Sequence, residues 1–173
     1  IYMQDKSHII IEGIRLVNYS TGISVEHRSS YITVRKCIFV ENNNFGLLLY
    51  GWKDNPAQSH HHVFTENEFY DYTDKQDYGI ALYFSTNAKA TNNYFFGWHH
   101  QALSFKKLMF DSVAANNIFE GFRYTAIYLG QNEDSAEEGI LRSHNLIAEW
   151  NTFRPALGYR AKRSVMVANV TRG

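Results

Sequence analysis

Residues 79–95, with the sequence GIALYFSTNAKATNNYF, decide the fold. The segment opens with an alternation of large apolar residues and other residues over positions 79–83, the period-two pattern of a strand with one buried face. It ends with Asn93 and, two positions later, the large apolar Phe95. The fold follows from the recurrence of these two features along the chain.

An Asn followed two positions later by an apolar residue recurs at regular spacing. The copies are Asn67/Phe69, Asn93/Phe95, Asn117/Phe119, Asn145/Ile147 and a weaker Asn169/Thr171, and earlier the slot reads Cys37/Phe39 and Ile14/Leu16. Spacings of about 23 to 30 residues are typical of solenoid repeats. Each Asn is predicted to lie at a turn and to bond the coils above and below it, which satisfies backbone groups that a bend would leave unpaired. At Cys37 and Ile14 apolar packing is predicted to replace the amide.

A second signal is a short alternating segment that follows each slot and often opens with Gly. These segments cover residues 22–26, 46–50, 79–83, 102–106, 126–130 and 156–160. We predict that they form one long parallel sheet with one side facing the core. The predicted inward pairs are Ile23/Val25, Leu47/Leu49, Ile80/Leu82, Leu103/Phe105, Ile127/Leu129 and Leu157/Tyr159.

A coil of roughly 25 residues cannot bury its apolar side alone, so coils must stack on one another. The predicted fold is therefore all-β, a single-stranded parallel β-helix (solenoid) of about six to seven coils. Leucine-rich repeats would need a Leu-x-x-Leu-x-Leu frame, and propeller blades would need about 40 to 50 residues per unit. We expect residues 1–173 to be one β-helix segment of a longer chain. Because neither end offers a capping helix, we expect flanking coils or end-to-end self-association.

The composition limits the classes of partner. Lys plus Arg and Asp plus Glu both number 17, which predicts no nucleic-acid partner. The only cysteine, Cys37, excludes a disulfide framework and a Cys-based metal cluster. No apolar run approaches the roughly 20 residues of a membrane span. Aromatic residues make up 16% of the chain, which suggests rings used both in the core and as surface platforms.

The repeat resembles the pectin-lyase-like superfamily of right-handed β-helices. The resemblance lies in Asn-Asn-Tyr-Phe at residues 92–95, in Asn-Asn-Ile-Phe at 116–119 and in Gly-Ile-x-Leu strand starts such as residues 79–82. It implies a right-handed coil, a carbohydrate substrate and a secreted, extracellular or periplasmic protein. The signature motifs of polygalacturonases, alginate epimerases and pectate lyases are absent, so no catalytic residue is carried over.

The outward positions of the predicted sheet form a column that changes from aromatic to cationic. Its members are Glu26, Tyr50, Tyr83, Lys106, Gly130 and Arg160, next to a column of Ser24, Leu48, Ala81, Ser104, Tyr128 and Gly158. Aromatic rings stack on sugar faces, and Lys or Arg binds carboxylates. The pattern therefore predicts that an acidic polysaccharide is bound here. The predicted substrate-binding residues are Tyr50, Trp52, Tyr83, Tyr128 and Lys162.

Lys106 and Arg160 are the candidate catalytic residues. In the predicted sheet they lie two strands apart, or roughly 10 Å, so both could contact one glycan. In a lyase, Lys106 would remove the proton beside the uronate carboxylate. Arg160 or a Ca²⁺ ion would neutralise that carboxylate. The candidate Ca²⁺ ligands are Asp54, Glu133 and Asp134.

Two further groups of polar residues suggest alternative sites. A glycoside hydrolase needs two carboxylates about 5 to 9 Å apart, and one loop carries Asp71, Asp74 and Asp77. The run of His60, His61 and His62 suggests a metal, but successive strand residues point to opposite sides, so the three are not expected to converge on one ion.

Three functions remain open at this level. The chain is a lyase or hydrolase acting on an acidic polysaccharide, a non-catalytic glycan-binding or adhesive segment, or a structural stalk. The first two use the same aromatic and cationic residues, so the residues alone do not separate them.

Overall fold

The computed structural model describes residues 1–74, 76–97, 99–130, 143–154 and 163–168. Over these residues the chain consists of strands, turns and one short 3-10 helix, Pro56–Gln58. The strands in chain order are β1 (Tyr2–Gln4), β2 (Ser7–Glu12), β3 (Arg15–Val17), β4 (Thr21–His27), β5 (Ser30–Arg35), β6 (Ile38–Val40), β7 (Phe45–Gly51), β8 (Val63–Thr65), β9 (Glu68–Asp71), β10 (Tyr78–Thr86), β11 (Lys89–Thr91), β12 (Tyr94–Gly97), β13 (Gln101–Ala115), β14 (Ile118–Glu120), β15 (Thr125–Gly130), β16 (His144–Glu149), β17 (Thr152–Arg154) and β18 (Arg163–Ala168).

The strands pair in parallel and lie on three faces. The first face contains β1, β4, β7, β10, the start of β13, β15 and β18; the second contains β2, β5, β8, β11, the end of β13 and β16; the third contains β3, β6, β9, β12, β14 and β17. The chain visits the faces in the same order each time, and a parallel pair needs such a crossover. The predicted all-β parallel β-helix is confirmed.

Strands β10 and β13 continue around the corner from the first face to the second. Each bends at a residue with positive φ, which is 53° at Phe84 and 54° at Leu108. Beyond the bend Ser85 pairs with Met109 and Thr86 with Phe110. The left-handed conformation interrupts the alternation of side chains, so Lys106 lies on the first face just before the corner.

The predicted inward columns of the first face form the core. Their described members are at most 5% exposed: Ile23, Val25, Leu47, Leu49, Ile80, Leu82, Leu103, Phe105, Ile127 and Leu129. Equivalent residues pair directly between strands, as Ile80 does with Leu47 and Leu103. Each coil therefore buries its apolar side against its neighbours, which a single coil could not do.

The apolar residues of the Asn repeat form a stack of rings behind the third face. Phe39, Phe69, Phe95 and Phe119 stack with centroids 4.7 to 4.9 Å apart, and Phe153 continues the stack at 5.4 Å. This stack explains the Gly that opens many strands of the first face. A Cβ on Gly79 would lie 2.7 Å from the Phe95 ring and 2.6 Å from the Ala102 carbonyl oxygen.

The Asn ladder exists, but its fourth member differs from the prediction. The backbone N–H and the side-chain amide of Asn67 both donate to Oδ1 of Asn93, and Asn93 makes the same two bonds to Asn117. Asn117 bonds Oδ1 of Asn151, not Asn145. Asn145 instead lies at the corner that enters the second face, where it is exposed and donates to Asp111. Asn145 lies at the start of β16, a strand of the second face. The turn from the second face to the third comes after β16, and Asn151 lies there.

Cys37 occupies the predicted ladder position. Its backbone N–H donates to Oδ1 of Asn67 over 3.0 Å, and its thiol is buried. Ile14 lies at the equivalent turn of the first coil, where its carbonyl accepts from Ile38. A second, shorter amide ladder was not predicted: the Asn42 side chain accepts from Tyr19 N–H, and the Asn42 N–H donates to the Gln76 side chain.

The last strand of the first face also differs from the prediction. Residues 156–160 and the proposed copy at Asn169 lie outside the described residues. The strand that pairs with β15 is Arg163–Ala168, in which Val165 lies opposite Ile127 and Ala168 opposite Gly130. Ala168 thus lies opposite Gly130, the residue predicted to follow Lys106 in the outward column, and Arg160 lies outside the described residues.

Candidate functional site

Three predicted site residues occupy one outward column of the first face. Tyr83 pairs with Tyr50 on one side and with Lys106 on the other. The rings of Tyr50 and Tyr83 have centroids 5.6 Å apart. The sheet thus presents two aromatic rings followed by an amine at successive strand spacings, as the alternation pattern predicts.

The Lys106 side chain lies inside a cluster of tyrosines. Its Nζ donates to the Tyr78 hydroxyl over 2.9 Å and lies 4.4, 5.9 and 5.5 Å from the ring centroids of Tyr78, Tyr83 and Tyr128. We call these four residues the tyrosine–lysine cluster. Only 5% of Lys106 is exposed. Cation–π contacts of this kind favour the charged amine but do not replace its lost hydration.

Burial lowers the pKa of Lys106 to about 8, helped by the nearby charge of Lys107 and opposed by that of Asp77. Burial also raises the pKa values of Tyr78 and Tyr83, so both phenols stay protonated at neutral pH. A lysine whose pKa lies near the working pH is a group that can exchange a proton, and such groups are concentrated at functional sites.

Tyr78 is the member of the cluster that sequence reasoning missed. The predicted strand begins with the period-two alternation at Gly79, which leaves Tyr78 outside it. In the structure β10 begins at Tyr78, which pairs with Phe45 and Gln101 and stacks on Phe45 at 5.1 Å. The sequence does contain a signal for this position, because Phe45 and Tyr78 each lie directly before the Gly of their strand.

A second, more exposed part of the site lies at the end of β7. The Arg28 guanidinium lies 4.5 Å from the Trp52 ring centroid, and the His27 ring meets Trp52 edge-on at 5.3 Å. Tyr50 is 40% exposed. An exposed ring beside an arginine fits one sugar face and one carboxylate. Arg28 supplies the positive charge in this part of the site.

Two buried polar atoms lie on the same strand as Lys106. In the part of the chain that the structure describes, Oγ of Ser104 and Oε1 of Gln101 have no hydrogen-bond partner. Ser104 is fully buried and pairs with Ala81 and Tyr128. Buried polar groups normally have a partner, so these two atoms distinguish this strand from the other described strands of the first face.

The remaining predicted site residues are only partly described. Tyr128 joins the tyrosine–lysine cluster, and Asp54 is exposed in the turn after Trp52. Arg160, Lys162, Glu133 and Asp134 lie outside the described residues. Within the described ranges, no group of three or more His, Cys, Asp or Glu side chains could hold a metal ion.

The loop acids have structural partners. The buried Asp71 carboxylate accepts hydrogen bonds from the backbone of Thr73 and Gln76. Asp74 forms an ion pair with Arg123. These partners tie both carboxylates to the structure of the turn, a role that differs from that of the general acid of a hydrolase.

The three histidines of the run at residues 60–62 separate into two groups. His62 is buried, its Nε2 contacts Oγ of Ser59, and burial lowers its pKa to about 3. His60 and His61 lie nearer the surface, where their Nδ1 atoms are 2.8 Å apart and both rings contact Tyr31. The positive φ of His61 turns it toward His60, while His62 points into the core.

A family model described as "right handed beta helix region" matches residues 1–95, more than half of the 173 residues. No curated protein matches the chain, and neither does any solved structure. Among the residues that the structure describes, no helix has the length and apolar character needed to cross a membrane.

Proposed function

Because the chain belongs to the right-handed β-helix family and carries aromatic and cationic side chains outside its first face, we propose that it binds an acidic polysaccharide there. The family membership confirms the predicted right-handed coil. The observation that carries the proposal is the pairing of Arg28 with the Trp52 ring beside the exposed Tyr50. The rings supply stacking surfaces and the guanidinium supplies a partner for a uronate carboxylate. With a ligand of this kind, we propose that the protein acts outside the cell or in the periplasm.

The test measures binding of hexagalacturonate and of mannuronate oligosaccharides by calorimetry. Trp52→Ala is expected to weaken binding about tenfold, as expected for truncation of an aromatic anchor. Added salt should weaken it further because the contact is partly ionic. Trp150→Ala is the matched control, since Trp150 is 80% exposed and lies at the turn between the second and third faces. Equal loss in the two variants, or no binding by the parent protein, would contradict the proposal.

A second candidate function, β-elimination, is favoured by the low pKa of Lys106. The neutral Lys106 amine would take the proton from C5 of a uronate, the electron pair would form the C4–C5 double bond, and the C4–O bond would break. Water would protonate the leaving oxygen. Only 5% of Lys106 is exposed, so this function requires that the surrounding rings admit the uronate to the amine. The Ca²⁺ site at Asp54, Glu133 and Asp134 stays a prediction.

The ultraviolet absorbance of the unsaturated product separates the two functions. A lyase is expected to form this product at a rate that rises with pH through about 8, as Lys106 loses its proton, and levels off above it. Lys106→Met should abolish turnover and keep binding. A protein that binds polyuronates without forming product is a binding segment, and one that neither binds nor turns over any of them fits the structural stalk.

A further inference from the structure

The third face carries a second aromatic surface that the proposed function does not use. It consists of Tyr70 and Tyr72 from one coil and Tyr94 and Phe96 from the next. Tyr70 and Tyr72 stack nearly parallel at 5.9 Å, and Phe96 lies 5.8 Å from Tyr72. Tyr94 meets Tyr70 edge-on at 5.8 Å. The four rings form one continuous patch, and Tyr72 is 52% exposed.

Carboxylates border this patch. The Tyr70 hydroxyl donates to Glu68 over 2.7 Å, and the Tyr94 hydroxyl donates to Glu120 over 3.1 Å. The Glu41 carboxylate accepts a 2.6 Å hydrogen bond from the backbone N–H of Tyr72. These bonds orient the rings, and each carboxylate keeps lone pairs that can accept further donors. Arg154, which pairs with Glu120 across the strands, is the cation at this end of the patch.

The charges beside the rings differ between the two faces. Three carboxylates and one arginine border the rings of the third face, whereas the first face carries Glu26 together with the cations Arg28, Lys106 and Lys107. A polyuronate would be repelled by the carboxylates of the third face. A neutral sugar chain would instead donate its hydroxyls to them and stack its rings on the aromatic side chains.

We propose that Tyr70, Tyr72, Tyr94 and Phe96 bind a neutral polysaccharide on the third face, with Glu68 and Glu120 accepting sugar hydroxyls. The strands lie about 4.8 Å apart, close to the length of one sugar residue in an extended chain. The Tyr70 and Tyr94 rings on neighbouring strands can therefore meet successive residues of one chain. Together with the first face, this surface would let one β-helix hold an acidic and a neutral glycan at once.

The experiment uses the full chain with cellohexaose and mannohexaose as neutral probes and hexagalacturonate as the acidic probe. Tyr72→Ala is expected to weaken binding of at least one neutral probe about tenfold and to leave hexagalacturonate binding unchanged. Trp52→Ala is expected to do the reverse. Phe96→Leu keeps an apolar side chain without a ring and should weaken neutral binding as well. Melting temperatures establish that the variants are folded.

Three results would overturn the inference. The first is failure of the parent protein to bind either neutral probe. The second is unchanged binding of the neutral probes by Tyr72→Ala and Phe96→Leu. The third is a dimer, seen by sedimentation, that Tyr72→Ala dissociates while no neutral probe binds, which would assign the patch to self-association. Loss of hexagalacturonate binding by Trp52→Ala bears only on the first face, so the two proposals fail separately.

Discussion

The Lys106 ammonium donates a 2.9 Å hydrogen bond to the hydroxyl of Tyr78, a residue 28 positions earlier on the adjacent strand. Both residues belong to the tyrosine–lysine cluster. This bond gives the buried amine one fixed partner. The strength of this bond determines how easily Lys106 gives up its proton.

Tyr78→Phe removes that hydroxyl and keeps the ring. Because a hydrogen bond to a charged group is lost, the pKa of Lys106 should fall below about 8 by roughly one unit. Nuclear magnetic resonance of the isotopically labelled lysine amine measures the pKa directly. Tyr83→Phe is the control, since the hydroxyl of Tyr83 is not the group that Lys106 bonds. An unchanged pKa in Tyr78→Phe would show that the bond does not stabilise the ammonium.

The buried Lys106 should make the protein more stable as the pH rises above 8. The pKa of Lys106 is about 8 in the folded state and has its ordinary value of 10.5 in the unfolded chain, so between these values the unfolded chain binds more protons. Stability therefore rises with pH, by about 3 kcal/mol if the whole window is crossed. Lys106→Met should lose this slope and gain stability at pH 7. Urea unfolding of both proteins at pH 7 and pH 9 provides the measurement, and parallel pH dependences would contradict the expectation.

Asn117→Ala should be strongly destabilising. The Asn117 amide donates to the Ala90 carbonyl and to Asn151, and its Oδ1 accepts both donors of Asn93. Removing it leaves several buried polar groups unpaired at about 1 to 3 kcal/mol each, so a loss of about 3 kcal/mol or more is expected. Denaturant unfolding measures the loss.

Asn145→Ala is the matched control for the ladder. Asn145 is exposed and its side-chain amide donates to Asp111 at the surface, so its replacement should cost about 0.5 kcal/mol or less. Equal losses for Asn117→Ala and Asn145→Ala would mean that the ladder does not contribute more than a surface hydrogen bond.

His99→Leu should stabilise the protein in acid. His99 is fully buried, close to the backbone of Phe69 and Gln76. Burial lowers its pKa from 6.5 to about 4, so between these values the unfolded chain binds the extra proton and stability falls as the pH falls. The penalty reaches about 3 kcal/mol near pH 4. Thermal unfolding at pH 7 and pH 4.5 should show a smaller decrease for the variant; an equal decrease would assign the acid sensitivity to other groups.

The fold was largely predictable because its signals are local. The alternation within residues 79–83 depends only on neighbours along the chain, and so does the spacing from Asn93 to Phe95. Both features recur in each coil and were located correctly wherever the coil length stayed regular. The prediction failed at Asn145 because the chain between Asn117 and the next turn is longer than in the preceding coils, so the repeat spacing selected a residue on the second face.

The candidate site was predictable only in part. The column of Tyr50, Tyr83 and Lys106 follows from alternation and strand order, which the sequence contains. The burial of Lys106 does not follow from them, since it depends on rings that arrive from neighbouring coils. The pairing of Arg28 with Trp52 was missed for the same reason: two strand ends approach each other only after the coils have stacked.

The sequence by itself determined that coils stack, which residues face the core and which outward positions share a column, because period and repeat length are properties of the chain. Only the tertiary structure decided that Tyr78 holds Lys106, that Asn151 completes the ladder and that Tyr70 and Tyr94 share a surface on the third face. Those relationships join residues of different coils. Their geometry depends on how each corner turns and on the alignment of one strand with the next, and neither is encoded in any single repeat.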